Sequence, residues 1–320
     1  MKWRALLAAA LLAAFAAALL APFGSLSALF VADAELGWAL LIELRLPRAA
    51  LALVYGAMLG AAGAAVQALF ANPLASPDLT GATSGAALGA VVTAYLIGAA
   101  GPLAMAAGAV AGALASLLLL IGLAGRRTDT STLLLAGLAI SALAGALTTL
   151  ALALAPSPFA FYDAYAWLMG SMVDRSLTQL AFAAVPAAFA IAWLTRLRPA
   201  LDRLALGEEV AESMGHDLRR LRLELVCLSA VGVGACVAIC GAIGFVGLIA
   251  PVFARRITGG HPGRAILPAA AIGALLLSVA DLVSRLAPLG RTLPIGVVTA
   301  LVGAPFFLWL VVRIRWRLQP

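Results

Sequence analysis

RLPRAALALVYGAMLGAAGAAVQALFANPLASPDLTGATSGAALG, residues 45–89, joins a basic start, an apolar run, a polar break and a second run spaced by glycines. Between Arg48 and Asp78 stand 29 residues without a formal charge. That exceeds the ~20 residues needed to cross a ~30 Å hydrocarbon core at ~1.5 Å per residue, so the stretch predicts a membrane-spanning helix. It is not a plain lipid-facing helix, because Gln67, Asn72-Pro73, Ser76-Pro77-Asp78 and Thr80-Gly81 interrupt it at or just past its far end. The two prolines break the helix. Backbone groups freed by such a break must be satisfied by protein or water, which places the segment at a bundle centre or a cavity wall. A tight cytoplasmic turn between two helices is the plainer alternative.

Composition agrees with a membrane protein. Hydrophobic residues make up 64% of the 320-residue chain and charged residues 11%, against about 25% charge in a soluble domain. Cys227, Cys236 and Cys240 share one apolar run without C-x-x-C spacing, the pattern of buried packing rather than redox or metal chemistry. The two histidines, His216 and His261, lie in different polar loops, so no metal site is expected.

Upstream, MKWR precedes 28 uncharged residues, Ala5 to Ala32, a run too long for a signal peptide and expected to be one helix with Lys2 and Arg4 inside. Asp33, Glu35, Trp38 and Glu43 then suggest an outer interfacial loop. Downstream, 47 uncharged residues end at Gly125 and must hold two spans, with the turn at Gly101-Pro102. Glycines 81, 85 and 89 in the first span and 108 and 112 in the second have the spacing of close helix contacts, or simply reflect a Gly- and Ala-rich composition. Arg126-Arg127 close this pair inside, and Thr130-Ser131-Thr132 opens a span reaching about Ala155. The aromatic cluster Phe159, Phe161, Tyr162, Tyr165 and Trp167 follows. It reads as an interfacial belt or as the wall of a vestibule for a large amphiphilic ligand.

After a span from Ser176 to Thr195, residues 201–222 form the longest charged stretch, LDRLALGEEVAESMGHDLRRLR. Leu204, Leu206, Val210, Met214 and Leu218 recur within it at near-helical spacing, predicting short amphipathic helices that need a partner surface. The segment from Leu221 to Ile257 has arginines at both ends, so it is expected to cross and return as two short spans of similar length turning at Gly241, Gly244 and Gly247. Ala265–Arg285 crosses outward, with Asp281 and Arg285 spaced for an ion pair, and Leu293–Val312 returns. The result is an all-α polytopic membrane protein with about ten transmembrane helices and both termini cytoplasmic. This topology puts 16 of the 21 Lys and Arg residues inside. The positive-inside rule thereby accounts for the net charge of +7 without nucleic acid.

The pattern R-L-P-R, G-x-x-x-G-x-x-G, Q-A-L-F-x-N-P-L-A-x-P and G-x-x-S-G-A resembles the FecCD family. These are permease subunits of binding-protein-dependent ABC importers for iron-siderophores, haem and cobalamin. The resemblance continues at Leu133–Ser141, WLMGS (Trp167 to Ser171), LGEEVAESMG (Leu206 to Gly215), GAIGFVGLIAP (Gly241 to Pro251), ADLVSR (Ala280 to Arg285) and LPIGVVTALVGAPFF (Leu293 to Phe307). It implies one permease domain of the type II importer architecture over residues 1–320, multi-pass in the bacterial cytoplasmic (inner) membrane. It also implies a homodimer working with two cytoplasmic ATPase subunits and a periplasmic or lipid-anchored substrate-binding protein. Residues about 201–220 become the loop coupled to the ATPase, with Leu206, Gly207, Glu208, Glu209, Val210, Ala211 and Gly215 at its centre. Arg45, Arg48 and Arg285 become the sites that receive binding-protein glutamates, although flanking arginines often only snorkel and fix topology. Gln67, Asn72, Pro73, Thr130, Ser131 and Thr132, polar groups at inner span ends, are candidates for the path or its gate.

The chain has one lysine, Lys2, and no G-x-x-x-x-G-K-[ST], so ATP and Mg belong on the partner ATPase and no catalytic residue or cofactor is expected here. An ion-coupled secondary transporter would want ionisable groups midway along spans, whereas Asp78, Glu224 and Asp281 sit at ends or breaks. A membrane enzyme is disfavoured because no carboxylate pair or nucleophile and base is visible. Two places depart from the family: Pro251-Val252-Phe253-Ala254-Arg255 stands where many members read P-H-x-x-R, and Arg291-Thr292 replace an acidic residue before L-P-x-G. Among cargoes, WLMGS and the aromatic segment favour a ferric siderophore, ahead of haem and cobalamin.

Overall fold

The computed structural model describes residues 2–98, 101–124, 130–286 and 293–318, and among them every regular element is helical. Arg126, Arg127, Arg291 and Thr292 lie outside the described residues. The N-terminal run is not one helix. α1 (Lys2–Leu20) stops before Pro22, and α2 (Phe23–Ala32) starts after it, because proline supplies no N–H to continue the ladder. Nor is the acidic segment that follows a loop. The Asp33 carboxylate accepts from the N–H groups of Glu35 and Leu36 and so starts α3 (Ala34–Ala39). A π-helical turn, Leu40–Arg45, then runs into α4 (Leu46–Leu69), giving a continuous helical stretch of 36 residues.

α4 is the centre of the bundle, with Leu51, Tyr55, Met58 and Leu59 fully enclosed. It ends where the prolines demanded, in turns leading to a 3-10 turn, Pro77–Thr80, and the short α5 (Ala82–Tyr95). α6 (Pro102–Ala124) starts at the expected proline. The glycine spacing marks a specific contact: a Cβ on Gly89 would strike the Gly108 carbonyl, and one on Gly112 the Gly85 carbonyl. The α4 glycines behave likewise towards a later helix, Pro262–Leu286, where Gly56 meets Gly273 and Gly60 meets Ala269 backbone to backbone.

α7 (Thr130–Ala153) is followed by α8 (Pro158–Leu168), an aromatic helix capped by the Ser157 hydroxyl, and by α9 (Leu177–Arg196). α10 (Arg198–Leu204) and α11 (Glu208–Ser213) are the expected short helices of the charged stretch. Next come α12 (Leu218–Cys240), α13 (Val246–Ile257), α14 (Pro262–Leu286) and α15 (Ile295–Leu318).

The expected pair of equal spans is instead a 23-residue α12 and a 12-residue α13. Gly241, at φ 75°, ends α12. The Tyr55 hydroxyl then holds the break, donating to the Gly241 carbonyl at 3.1 Å and accepting from the Ile243 N–H at 3.3 Å. Gly247, expected in the turn, lies inside α13, where it lets Pro77 and the Leu59 carbonyl approach. Cys236 and Cys240 are buried and free in α12, as packing residues.

Seven helical stretches are long and apolar enough to cross a membrane, and Ala82–Tyr95 and Ile295–Leu310 are shorter apolar helices. The 12-residue α13 belongs to neither group, so nine apolar segments stand among the described residues against the ten spans expected.

Candidate functional site

Three regions carry the functional expectations. At the inner end, α11 is a six-residue helix between two glycines of positive φ, Gly207 at 117° and Gly215 at 84°. Ala211 turns inward and is fully buried, while Leu206, Val210 and Met214 are 66%, 42% and 52% exposed. Leu218, expected on the same apolar face, is buried instead at the start of α12. Glu208 is tied to Arg222 at 2.5 Å, and Arg203 meets His216, so the helix is braced from behind while its apolar side chains face out. Glu209 is exposed beside Glu208 in the first turn, where the helix dipole favours negative charge. At the start of α10, burial pulls the Arg198 pKa below the ordinary arginine value, and the Asp202 carboxylate opposes that shift.

The broken segment after α4 is held from several sides. Gln67 is completely buried and donates Nε2 to the Leu248 carbonyl of α13 at 3.2 Å, bracing two helices inside the bundle. Asn72 closes a turn by accepting from the Leu74 N–H at 2.9 Å, with Pro73 between them. Ser141, in the middle of α7, donates to the Asp78 carbonyl at 3.0 Å, and Gly137 lets α7 approach the Leu79 carbonyl. α7 therefore meets the break along its middle, not at Thr130-Ser131-Thr132. Ser131 is exposed and Thr132 half-buried, and the Thr130 side chain lies outside the described residues.

At the outer end, Asp281 is fully buried and shared by two arginines. Arg48 Nε reaches it at 2.8 Å, and Arg285 Nη2 bonds its other oxygen, with the two arginine side chains 14% and 8% exposed. Arg285 also donates to the Ala18 carbonyl at 2.7 Å, and Arg45 donates to the Leu19 carbonyl at 3.0 Å. These carbonyls belong to the last turn of α1, which lacks intrahelical donors, and cations at that end also suit the helix dipole. The three arginines are therefore clasps between α1, α4 and α14. Arg48 Nη2 is buried without a hydrogen-bond partner, and Arg48 lines a cavity of about 150 Å³ with Gly170, Ser171 and Ser284.

The WLMGS stretch joins helix ends. Ser171 N–H bonds the Cys240 carbonyl at 2.8 Å, and the Met169 and Gly170 carbonyls accept from Gly296 and Ile295 at 3.1 Å each. Below it lies an apolar groove of about 550 Å³ between Met169, Phe245 and α15. Phe159 and Tyr162 of α8 are well exposed, and Phe161 stacks on Tyr165. Next to Val252, which stands at the histidine position of the P-H-x-x-R motif, the Phe253 ring packs on Phe306 at 5.6 Å, with Arg256 over both Phe253 and Trp309. Tyr55 and the Arg48–Asp281 pair were missed by sequence reasoning. No local signal marked either, since the partners are 186 and 233 residues apart.

The profile of the FecCD transport family matches residues 5–313. The chain is 42% identical over 305 residues to the vitamin B12 import system permease protein BtuC of Vibrio cholerae, covering 92% of this chain and 87% of that one. BtuC of Salmonella typhi is 41% identical over 276 residues, covering 85% and 83%. A solved structure described as an inward-facing conformation of a metal-chelate type ABC transporter superposes with a TM-score of 0.80 at 31% identity, covering 87% of this chain and 89% of that one. PsaBC from Streptococcus pneumoniae, in complex with Fab, shares the fold alone, with a TM-score of 0.55 at 19% identity, covering 82% and 89%.

Proposed function

The chain belongs to the FecCD transport family as the membrane permease of an ABC importer, and we propose that its cargo is a corrinoid of the vitamin B12 class. The observation that carries this reading is the 42% identity, along 92% of the chain, to a permease named for vitamin B12 import. It ranks a corrinoid ahead of the ferric siderophore favoured by the WLMGS and aromatic signals. The exposed rings of α8 and the apolar groove beside Met169 suit a large, partly apolar ligand.

In this reading two copies of the chain form the path, ATP and Mg are held by two partner ATPase subunits, and a binding protein delivers the cargo from outside. The exposed Leu206, Val210 and Met214 face the ATPase, with Gly207, Glu208, Glu209, Ala211 and Gly215 shaping their helix. Asn72, Pro73, Thr130, Ser131 and Thr132 are assigned to the inner gate by their places at inner span ends in the sequence, although α7 meets the break along its middle. Gln67 acts from inside the bundle by fixing α4 to α13. The outer arginines hold the helix ends against which the binding protein docks.

The test is import into proteoliposomes holding the permease, its cognate ATPase and its binding protein. Radiolabelled cobalamin should accumulate only with hydrolysable ATP on the ATPase side. Accumulation of a ferric siderophore but not of cobalamin would overturn the cargo, and cobalamin import driven by an ion gradient without the ATPase would overturn the energy coupling.

A further inference from the structure

A cavity of about 690 Å³ opens at the inner end of the molecule between α1, the end of α13 at Ile257 and Thr258, the start of α14 and the start of α10. Its polar rim is Arg4, Arg198 and Arg264, and its deeper wall includes Leu7, Leu11 and Leu267. Both walls run in the same order. On α1 an arginine is followed one and two turns deeper by Leu7 and Leu11, and on α14 Arg264 is followed one turn deeper by Leu267. At ~1.5 Å per residue, Leu11 lies about 10 Å further into the bilayer than Arg4. Charge at the interface above hydrocarbon is the profile of a phospholipid.

The third arginine strengthens that match. Arg198 lines the rim, and its Nε and Nη2, shielded from solvent, are held by no protein acceptor. The nearby acid, Asp202, accepts from the Gly263 N–H at 2.8 Å and caps α14, and its charge also acts on Arg198 without a hydrogen bond to it. The backbones there are in close contact, as a Cβ on Gly263 would strike the Arg198 carbonyl. The rim is therefore built by packing and does not depend on loose side chains. α1 itself is fastened at its outer end by Arg45 and Arg285, yet only 11% of its span is buried. Its inner end stands off the bundle and leaves the cavity.

We infer that this cavity binds an anionic phospholipid of the cytoplasmic leaflet, its phosphate among Arg4, Arg198 and Arg264 and an acyl chain between α1 and α14. A basic pocket between helices on the cytoplasmic side suits such a headgroup, while the leucine wall gives a free phosphate nothing to bind. The lipid completes the seat of α1 that protein contacts leave open.

The full-length chain, purified from a mixture of phosphatidylglycerol and phosphatidylcholine, would be analysed by native mass spectrometry. One retained phosphatidylglycerol per chain is expected. Arg264→Gln should lower its retention roughly five-fold, and Arg4→Gln, Arg198→Gln and Arg264→Gln together by about 100-fold. Brominated phosphatidylglycerol should quench tryptophan emission less in Trp3→Phe than in the parent, because Trp3 lines the cavity. Arg264 is exposed, so its single variant decides the question if the triple one fails to fold. Equal retention of both lipids by the parent, unchanged retention by Arg264→Gln, or displacement of phosphatidylglycerol by inorganic phosphate would each overturn the assignment.

Discussion

The inner and outer ends of this permease invert the usual distribution of polarity. At α11 the apolar side chains of Leu206, Val210 and Met214 face outward, whereas near Asp281 the charged side chains of Arg48 and Arg285 face inward. An exposed apolar face retains free energy to be released when something covers it. The buried cluster at Asp281 ties two arginines to one carboxylate and to an α1 carbonyl, with one positive charge in excess. The inner end is thus built to be completed by a partner, and the outer end to hold three helices in register before any partner arrives.

The largest expected effect tests the outer half of that contrast. Asp281→Ala would leave the Arg48 and Arg285 guanidinium groups facing each other in a buried site with no counter-charge. Breaking a buried pair in this way costs ~3–5 kcal/mol. The purified permease should show a pronounced fall in its thermal unfolding midpoint. A loss under about 1 kcal/mol would mean that the cluster behaves as a solvated surface pair, and the contrast between the two ends would collapse.

The inner half is tested by Leu206→Glu and Val210→Glu. Both side chains are exposed, so stability should move by less than about 0.5 kcal/mol. If each is buried against the ATPase, its loss removes roughly 1.5–3 kcal/mol of association, about ten-fold or more in affinity. Pull-down of the ATPase with unfolding midpoints measured alongside separates the two quantities. Unchanged association would make α11 a solvated connector.

How much of this was legible depends on how local each signal is. The breaks at Asn72-Pro73 and Gly101-Pro102 could be read directly, because proline acts on its own residue and its neighbours. Pro22 carried the same signal inside the first apolar run, but the length of the run concealed it. The amphipathic α11 was legible from spacing, though which apolar residues face out was not. Leu206 and Leu218 share the pattern, and only packing puts one outside and the other inside. The short α13 was hidden because its boundary is set by Tyr55, from another helix. Spacing marked the pairing of Asp281 with Arg285, one turn apart, while nothing near either residue pointed to Arg48. The arginines were therefore read as arms for a partner or as topology anchors, and their use as clasps could not be read.

Arg45 is where the two roles meet, and its variant should have the smallest effect. It is less enclosed than Arg285, and its Nη1 caps the Leu19 carbonyl at the end of α1. Arg45→Gln should lower stability by about 1 kcal/mol, the net contribution of one such hydrogen bond. If its charge also steers an acidic binding protein, association should slow at low salt and depend less on ionic strength, because rim charges act mainly on encounter. Arg45→Lys separates the roles, since lysine keeps the charge while losing the planar geometry that reaches the carbonyl. Slower association in Arg45→Gln, restored in Arg45→Lys without recovery of the unfolding midpoint, would give the outer end a docking function on top of its clasp. Equal association rates for all three proteins at both salt concentrations would leave Arg45 as the cap of α1, and docking would then depend on the shape of the outer face.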